Sequence, residues 1–112
     1  MTTKYDNSNA ANWNFTTQSV HAGQDVDSEV SARNLPIYLS SSFVFDNAEH
    51  AANRFNLSDA GPVYSRLTNP TVEALENRLA ALEGGVAAVG FASGAAAITS
   101  GLQTLVQAGG HI

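Results

Sequence analysis

The chain has 112 residues, a length that allows one small domain with a core and excludes a large two-domain enzyme within these residues. Ten acidic against five basic residues give a formal net charge of −5, and the absence of any lysine–arginine cluster argues against nonspecific binding to nucleic acid or anionic membranes. There is no cysteine, which excludes disulfides, thiolate nucleophiles and cysteine metal sites.

The N-terminus and the apolar segments predict a cytoplasmic protein without a membrane span. Residues 1–7 are polar and carry neither an apolar signal core nor an Arg-rich presequence. The longest apolar stretch, 86–105, is rich in alanine and interrupted by Gly, Ser, Thr and Gln. We therefore expect no nucleic-acid partner and no membrane partner.

Residues 1–60 predict an extended N-terminal arm. They are rich in Asn, Ser, Asp and Thr, and their short apolar clusters at 35–39 and 43–45 show no long helical period. Such an arm cannot bury its apolar side chains on itself, so they need a surface elsewhere in the protein or on a second subunit. The larger ones are Trp13, Phe15, Tyr38, Phe43 and Phe45.

One short helix is predicted within this arm, over residues 48–55, with Asp46 or Asn47 as its N-cap. A stronger helix signal follows at 70–83. Asn69 is a favourable N-cap, Pro70 suits the first helical position, and Gly84 suits a left-handed residue after the C-terminus. The leucines of this segment fall on one stripe, so we expect a helix with one buried face.

An apolar run and a second helix complete the chain. The run at 86–91 lacks polar alternation, which is typical of a strand covered on both faces of a parallel sheet. Ser93 or Gly94 then begins a helix that we expect to end at 108–110, with Gly101 allowing close approach of a neighbouring backbone.

The order helix, strand, glycine turn, helix predicts the opening of a doubly wound α/β domain. We assign residues 61–112 to the beginning of this domain. A single strand has no ladder partner, so we expect the chain to be a truncated piece of a longer protein.

Two groups of residues predict a site for a phosphate dianion. Arg66 offers a planar fork of donors and Tyr64 a phenolic hydroxyl, whereas Gly94 and Ala95 would offer backbone N–H groups at a helix start. Either group alone is more often a surface ion pair or a helix cap. The chain has neither G-x-G-x-x-G nor a P-loop motif, and its three histidines lack metal-ligand spacing, so we predict no metal site.

At these residues the chain resembles the cystathionine γ-synthase-like, Cys/Met-metabolism group of pyridoxal-phosphate (PLP) enzymes. Within this group it is most similar to the O-acetylhomoserine sulfhydrylases, through the segments 48–55 and 61–64. The stretches that carry the wider resemblance run from about residue 16 to the end: Ser19–Gly23, Pro36–Tyr38, Tyr64–Arg66, Asn69–Thr71, Leu82–Gly85, Phe91–Gly94 and Ala96–Ala97.

The resemblance implies an aspartate-aminotransferase type of fold and a homotetramer built from tight dimers with shared active sites. Residues matching Tyr64 and Arg66 reach the cofactor phosphate of the neighbouring subunit, whereas amides matching Gly94 and Ala95 hold the phosphate of their own subunit. The resemblance also places Tyr64 near the reacting amine of the substrate.

The reaction implied is γ-replacement, in which O-acetyl-L-homoserine loses acetate and gains sulfide or a thiol, giving homocysteine or methionine. The family's Schiff-base lysine is expected downstream, so we expect no catalytic residue and no activity in this chain alone; Lys4 is its one lysine. Alternatives are cystathionine γ-synthase, methionine γ-lyase or a non-catalytic oligomerisation fragment. One departure is Gly110, where the family usually has Asp.

Overall fold

Four helices make up the regular structure of the part of the chain that the computed structural model describes, residues 12–25 and 29–111. They are α1 (Phe15–His21), α2 (Ala48–Phe55), α3 (Pro70–Glu83) and α4 (Gly94–Leu105). Each begins at a side chain that accepts a hydrogen bond from a free N–H of the first turn. These N-caps are Asn14, Asn47, Asn69 and Ser93.

Helix α1 interrupts the arm that the sequence predicted to be extended. It has only seven residues, and its cap is the carboxamide oxygen of Asn14, which accepts the Thr17 N–H at 2.9 Å. Two turns are too short to form a stable helix by propensity alone, so α1 depends on packing against α3. The prediction missed α1 because seven residues carry too little periodicity.

The contact between α1 and α3 is made where α1 ends. Ala22 is buried, and its carbonyl accepts a hydrogen bond from Arg78 Nε at 2.8 Å. Gly23 follows at φ +77°, and a Cβ there would lie 2.5 Å from the carbonyl oxygen of Ala74. A residue without a side chain is therefore required at 23 by both the backbone angle and the space available.

Helix α2 has the predicted bounds, and the structure decides between its two candidate caps. Asn47 is the cap: its Oδ1 accepts the His50 N–H at 2.8 Å. Asp46 instead lies 3.1 Å from His50 Nδ1. At the other end of α2, Arg54 pairs with Asp59 at 3.3 Å, which ties the helix to the loop that follows.

Helix α3 also has the predicted bounds, and both of its end signals are confirmed. Asn69 Oδ1 accepts the Thr71 N–H at 2.9 Å, and Gly84 adopts the left-handed conformation at φ +65°. The predicted buried face is not covered within the described residues. Ala80 is the buried residue of α3, whereas its apolar stripe is exposed at Val72, Leu75 and Leu79.

The strand predicted over residues 86–91 does not form, and the described residues contain no β-ladder. Their sole β-type pairing is an isolated antiparallel bridge between Ser42 and Tyr64. A strand needs a neighbour for its backbone groups, and no described segment pairs with 86–91. Glu76 of α3 accepts the Gly90 N–H at 2.6 Å, which holds this run beside the helix.

Helix α4 starts where the sequence predicted and ends earlier. Ser93 is its cap, whereas Leu105 is its last residue and Val106 already has extended dihedral angles. The close approach predicted at Gly101 is not found within the described residues, because nothing lies within 4 Å of a Cβ built there.

The described residues lack a central core. Their buried residues are Ala22, Ala80 and Asn69, and the radius of gyration is 16.9 Å, against about 13 Å for a compact domain of this length. Of the five larger apolar residues of the arm, Phe15 is exposed, as predicted, whereas Trp13, Tyr38, Phe43 and Phe45 are partly buried. Smaller apolar side chains of the arm and several along α3 and α4 are exposed. No described helix is both long enough and apolar enough to cross a bilayer.

Candidate functional site

Two backbone segments pair to position Tyr64. The Phe43 N–H donates to the Val63 carbonyl at 3.2 Å, and the Ser65 N–H donates to the Ser41 carbonyl at 2.9 Å. Between these bonds lies the bridge from Tyr64 to Ser42. The arm therefore supports the segment that carries the predicted site residues.

A tight turn follows Tyr64 and presents Arg66. The N–H groups of Leu67 and Thr68 both donate to the Tyr64 carbonyl, at 2.8 and 3.1 Å. Arg66 Cζ lies 5.3 Å from the centroid of the Tyr64 ring, a cation–π contact. Both residues are exposed, and a guanidinium and a phenol are hydrogen-bond donors toward an anion.

Asn69 anchors this turn through side-chain hydrogen bonds, and it is the one buried polar residue of the described chain. Its Nδ2 donates to the Tyr38 carbonyl at 3.0 Å and to Ser65 Oγ at 2.9 Å. Ser65 Oγ in turn donates to the Ser40 carbonyl. One carboxamide thus joins the arm, the Tyr64 turn and the start of α3.

Thr71 forms a second anchor beside Asn69. Its hydroxyl accepts the Tyr38 N–H at 2.9 Å and donates to the Pro36 carbonyl at 3.3 Å. The sequence analysis treated 69–71 as a helix-start signal and as part of the family resemblance, and it missed both anchors. The N-cap signal was visible in the sequence, but the bonds from Asn69 and Thr71 to Pro36 and Tyr38 span 31 to 35 positions and had no local signature.

The second predicted group lies at the start of α4. Ser93 Oγ accepts the Ala96 N–H at 3.2 Å, and the Ser93 carbonyl accepts the Ala97 N–H at 3.1 Å. The N–H groups of Gly94 and Ala95 have no partner among the described residues. No acidic residue occupies the first turn, so the positive end of the helix dipole is uncompensated.

The structure brings the four predicted residues together as two pairs. Tyr64 and Arg66 are in contact, and Gly94 and Ala95 are adjacent at one helix start, but no described hydrogen bond or ring contact joins the pairs. A guanidinium, a phenol and two open amides are all donors, and such a set suits a phosphate dianion.

The histidines His21 and His50 each contact other side chains of the described chain. His21 contacts the Arg33 guanidinium and lies edge-on to Trp13, with ring centroids 6.2 Å apart. His50, on α2, contacts Asp46, which precedes the helix, and Asp59, in the loop after it. Within residues 12–25 and 29–111, no group of three or more side chains could hold a metal ion.

Comparison with known proteins identifies the family of the chain. A profile of the Cys/Met metabolism PLP-dependent enzymes matches residues 16–112. The chain belongs to this family. The cofactor of this family is pyridoxal phosphate, as predicted from the sequence. It carries a phosphate ester, and hydrogen-bond donors of the kind described above suit such a group chemically.

Relatives with high sequence identity to this chain include two O-acetyl-L-homoserine sulfhydrylases. It is 69% identical to the O-acetyl-L-homoserine sulfhydrylase of Corynebacterium glutamicum over 97% of its length, which covers 25% of that protein. It is 52% identical to O-acetyl-L-homoserine sulfhydrylase 1 of Thermus thermophilus over 88% of its length, covering 23% of that protein. The chain therefore spans about a quarter of the length of the curated relatives it matches.

A solved structure shares the fold. The O-acetylhomoserine (thiol)-lyase of Campylobacter jejuni, crystallised with N′-pyridoxyl-lysine-5′-monophosphate, superposes with a TM-score of 0.80 and 39% identity. The superposition covers 87% of the present chain and 23% of that protein. The family and the PLP-dependent transferase fold predicted from the sequence are confirmed, the latter as a part of the whole fold.

Proposed function

We propose that this chain is part of a PLP-dependent O-acetyl-L-homoserine sulfhydrylase. The whole enzyme would replace the acetate on the γ-carbon of O-acetyl-L-homoserine with sulfide or a thiol, giving homocysteine or methionine. The observation that carries the proposal is the 69% identity to a sulfhydrylase of this name over 97% of the chain. The bound cofactor would supply the electron sink for this chemistry.

Within that enzyme we assign the described donors to the cofactor phosphate. Arg66 would form two parallel charged hydrogen bonds with phosphate oxygens, and the Tyr64 hydroxyl a third. The amides of Gly94 and Ala95 would donate to the same kind of group at the positive end of α4. These residues bind and orient; the covalent chemistry is the task of residues outside the present chain.

The reaction is tested with the full-length enzyme. Purified protein is supplied with sulfide and either O-acetyl- or O-succinyl-homoserine, and homocysteine formation is followed. We expect kcat/KM to favour the acetyl ester. A preference for the succinyl ester, or γ-elimination without thiol addition, would contradict the sulfhydrylase assignment and favour cystathionine γ-synthase or methionine γ-lyase.

The phosphate assignment is tested by substituting Arg66 in the full-length protein. Arg66→Ala should weaken PLP binding by about one to two decades, because a charged hydrogen bond contributes about 1.5 to 3 kcal/mol. Arg66→Lys should recover only part of the affinity, since an ammonium cannot bind two phosphate oxygens in parallel. Leu67→Ala is the matched control, an exposed residue of the same turn. Unchanged PLP affinity in Arg66→Ala would contradict the assignment.

A role of Tyr64 in substrate binding can be separated from its role in phosphate binding. Tyr64→Phe keeps the ring that faces Arg66 and removes only the hydroxyl. If the hydroxyl serves phosphate alone, PLP affinity falls and kcat/KM at saturating PLP is unchanged. We expect kcat/KM to fall as well, because we propose that Tyr64 also lies near the amine of the substrate.

We propose further that the two pairs serve different active sites of a homodimer-based tetramer. No described contact joins them, and the exposed apolar residues of the arm provide surface for a neighbouring subunit. Under this proposal Tyr64 and Arg66 bind the phosphate held mainly by the partner subunit, and Gly94 and Ala95 bind the phosphate of their own subunit. The small-molecule partners would be the amino-acid substrate and the sulfur donor.

Hybrid oligomers test whether the active sites are shared between subunits. They combine two substitutions, each in a different subunit. Gly94→Pro removes one amide donor but suits the first position of α4, because Ser93 already has the extended angles, φ −152° and ψ 153°, that precede proline. Nothing lies within 4 Å of a Cβ at 94.

Subunits carrying Arg66→Ala are mixed with subunits carrying Gly94→Pro, and PLP binding to the hybrid dimer is titrated. If the sites are shared, one site of each hybrid has both donors intact and binds with wild-type affinity, whereas the other lacks both. If each subunit serves itself, every site lacks one donor and no wild-type site appears, which would refute sharing.

A further inference from the structure

We propose that Asn69 is a positioning residue for the phosphate-binding turn, in addition to being the N-cap of α3. It would act through Ser65 on the orientation of Tyr64 and Arg66. This inference rests on the proposed function, because it requires that these two side chains bind the cofactor phosphate.

The burial and the bonds of Asn69 exceed what a cap requires. An N-cap needs one acceptor oxygen and is commonly exposed, as at Asn14 and Asn47. Asn69 is only 8% exposed, and its amide nitrogen uses both hydrogens, one toward the Tyr38 carbonyl and one toward Ser65 Oγ. Neither bond contributes to capping.

The hydrogen bond from Asn69 to Ser65 connects Asn69 to the proposed phosphate site. Ser65 lies between Tyr64 and Arg66 in the chain, and its hydroxyl is held by Asn69 on one side and by the Ser40 carbonyl on the other. Fixing Ser65 fixes the backbone on both sides of it. Arg66 has no ion pair of its own among the described residues, so the turn backbone and the Tyr64 ring determine where its guanidinium lies.

Asn69→Ser separates capping from positioning. Serine is an N-cap as good as asparagine, but its side chain is too short to reach Tyr38 and Ser65. Asn47→Ser is the matched control, since it makes the same change at the cap of α2, where the side chain accepts only the His50 N–H. Ser65→Ala provides an independent variant that leaves the cap intact and removes the same link.

The measurement uses the full-length apoenzyme, titrated with PLP and with pyridoxal, which lacks the phosphate. We expect Asn69→Ser and Ser65→Ala each to weaken PLP binding about tenfold, with pyridoxal binding unchanged, and Asn47→Ser to change neither. In an Arg66→Ala background the effect of Asn69→Ser should be smaller, because one of the two groups it positions is gone.

An equal loss of affinity for PLP and pyridoxal would overturn the inference, because it indicates a general structural role. An unchanged effect of Asn69→Ser in the Arg66→Ala background would overturn it as well. If Asn69→Ser does not fold, Ser65→Ala carries both tests. A normal effect of Arg66→Ala with no effect of Asn69→Ser refutes the positioning role alone, whereas no effect of Arg66→Ala refutes the proposed phosphate site itself.

Discussion

Replacing Gly23 by alanine should detach α1 from α3. Two costs add at this position: a left-handed backbone angle for a residue with a Cβ, about 1 to 2 kcal/mol, and overpacking, about 1 to 3 kcal/mol. The overpacking arises because the new methyl would lie 2.5 Å from the Ala74 carbonyl oxygen and 2.6 Å from the Arg78 nitrogen. Both are backbone atoms of α3, so relief requires the two helices to separate.

Gly84→Ala is the control for the backbone term. Gly84 has a similar angle, φ +65° against +77°, but nothing lies within 4 Å of a Cβ there. We therefore expect Gly84→Ala to cost about 1 to 2 kcal/mol and Gly23→Ala about 2 to 5 kcal/mol. The difference between the two variants measures the contact between α1 and α3.

Native-state hydrogen exchange in the full-length protein measures this difference locally. The reporter is the Ala22 amide, which donates to the Gln18 carbonyl at 3.0 Å and is protected while α1 remains folded. We expect its exchange to accelerate by at least tenfold in Gly23→Ala and to be unaffected in Gly84→Ala. Equal exchange at Ala22 in both variants would refute the argument that backbone contact at 23 holds α1 in place.

Two further predictions concern contacts that hold irregular segments against α3. Glu76→Ala should accelerate exchange of the Gly90 amide by about five- to tenfold, because a charged acceptor at 2.6 Å is lost. Glu76→Gln keeps an acceptor and should have a smaller effect. Identical exchange rates of the Gly90 amide in the two variants would contradict this. Thr71→Val keeps the side-chain shape but removes the hydroxyl that accepts the Tyr38 N–H. It should destabilise the arm contact by about 1 to 3 kcal/mol, measured as faster exchange of the Tyr38 amide, and an unchanged rate would show that water replaces the bond.

Local sequence signals were sufficient to predict the bounds of helices whose ends are marked by capping residues. The bounds of α2 and α3, the cap at Asn69 and the left-handed Gly84 were all predicted, because a cap or a C-terminal glycine acts on the residues within one turn of it. The family was also identified from motifs. The positions of Tyr64 and Arg66 beside each other follow from the two-residue spacing and the turn between them.

Long-range contacts decided the rest. Helix α1 owes its existence to α3, the run at 86–91 lacks the partner that would make it a strand, and the last turn predicted for α4 is absent. Asn69 shows the division within a single side chain. Its oxygen caps the helix that follows, and the sequence alone determined this cap. Its nitrogen donates to a carbonyl some thirty residues earlier in the chain. Only the tertiary structure could decide that bond, because no local pattern encodes which distant carbonyl will lie within reach.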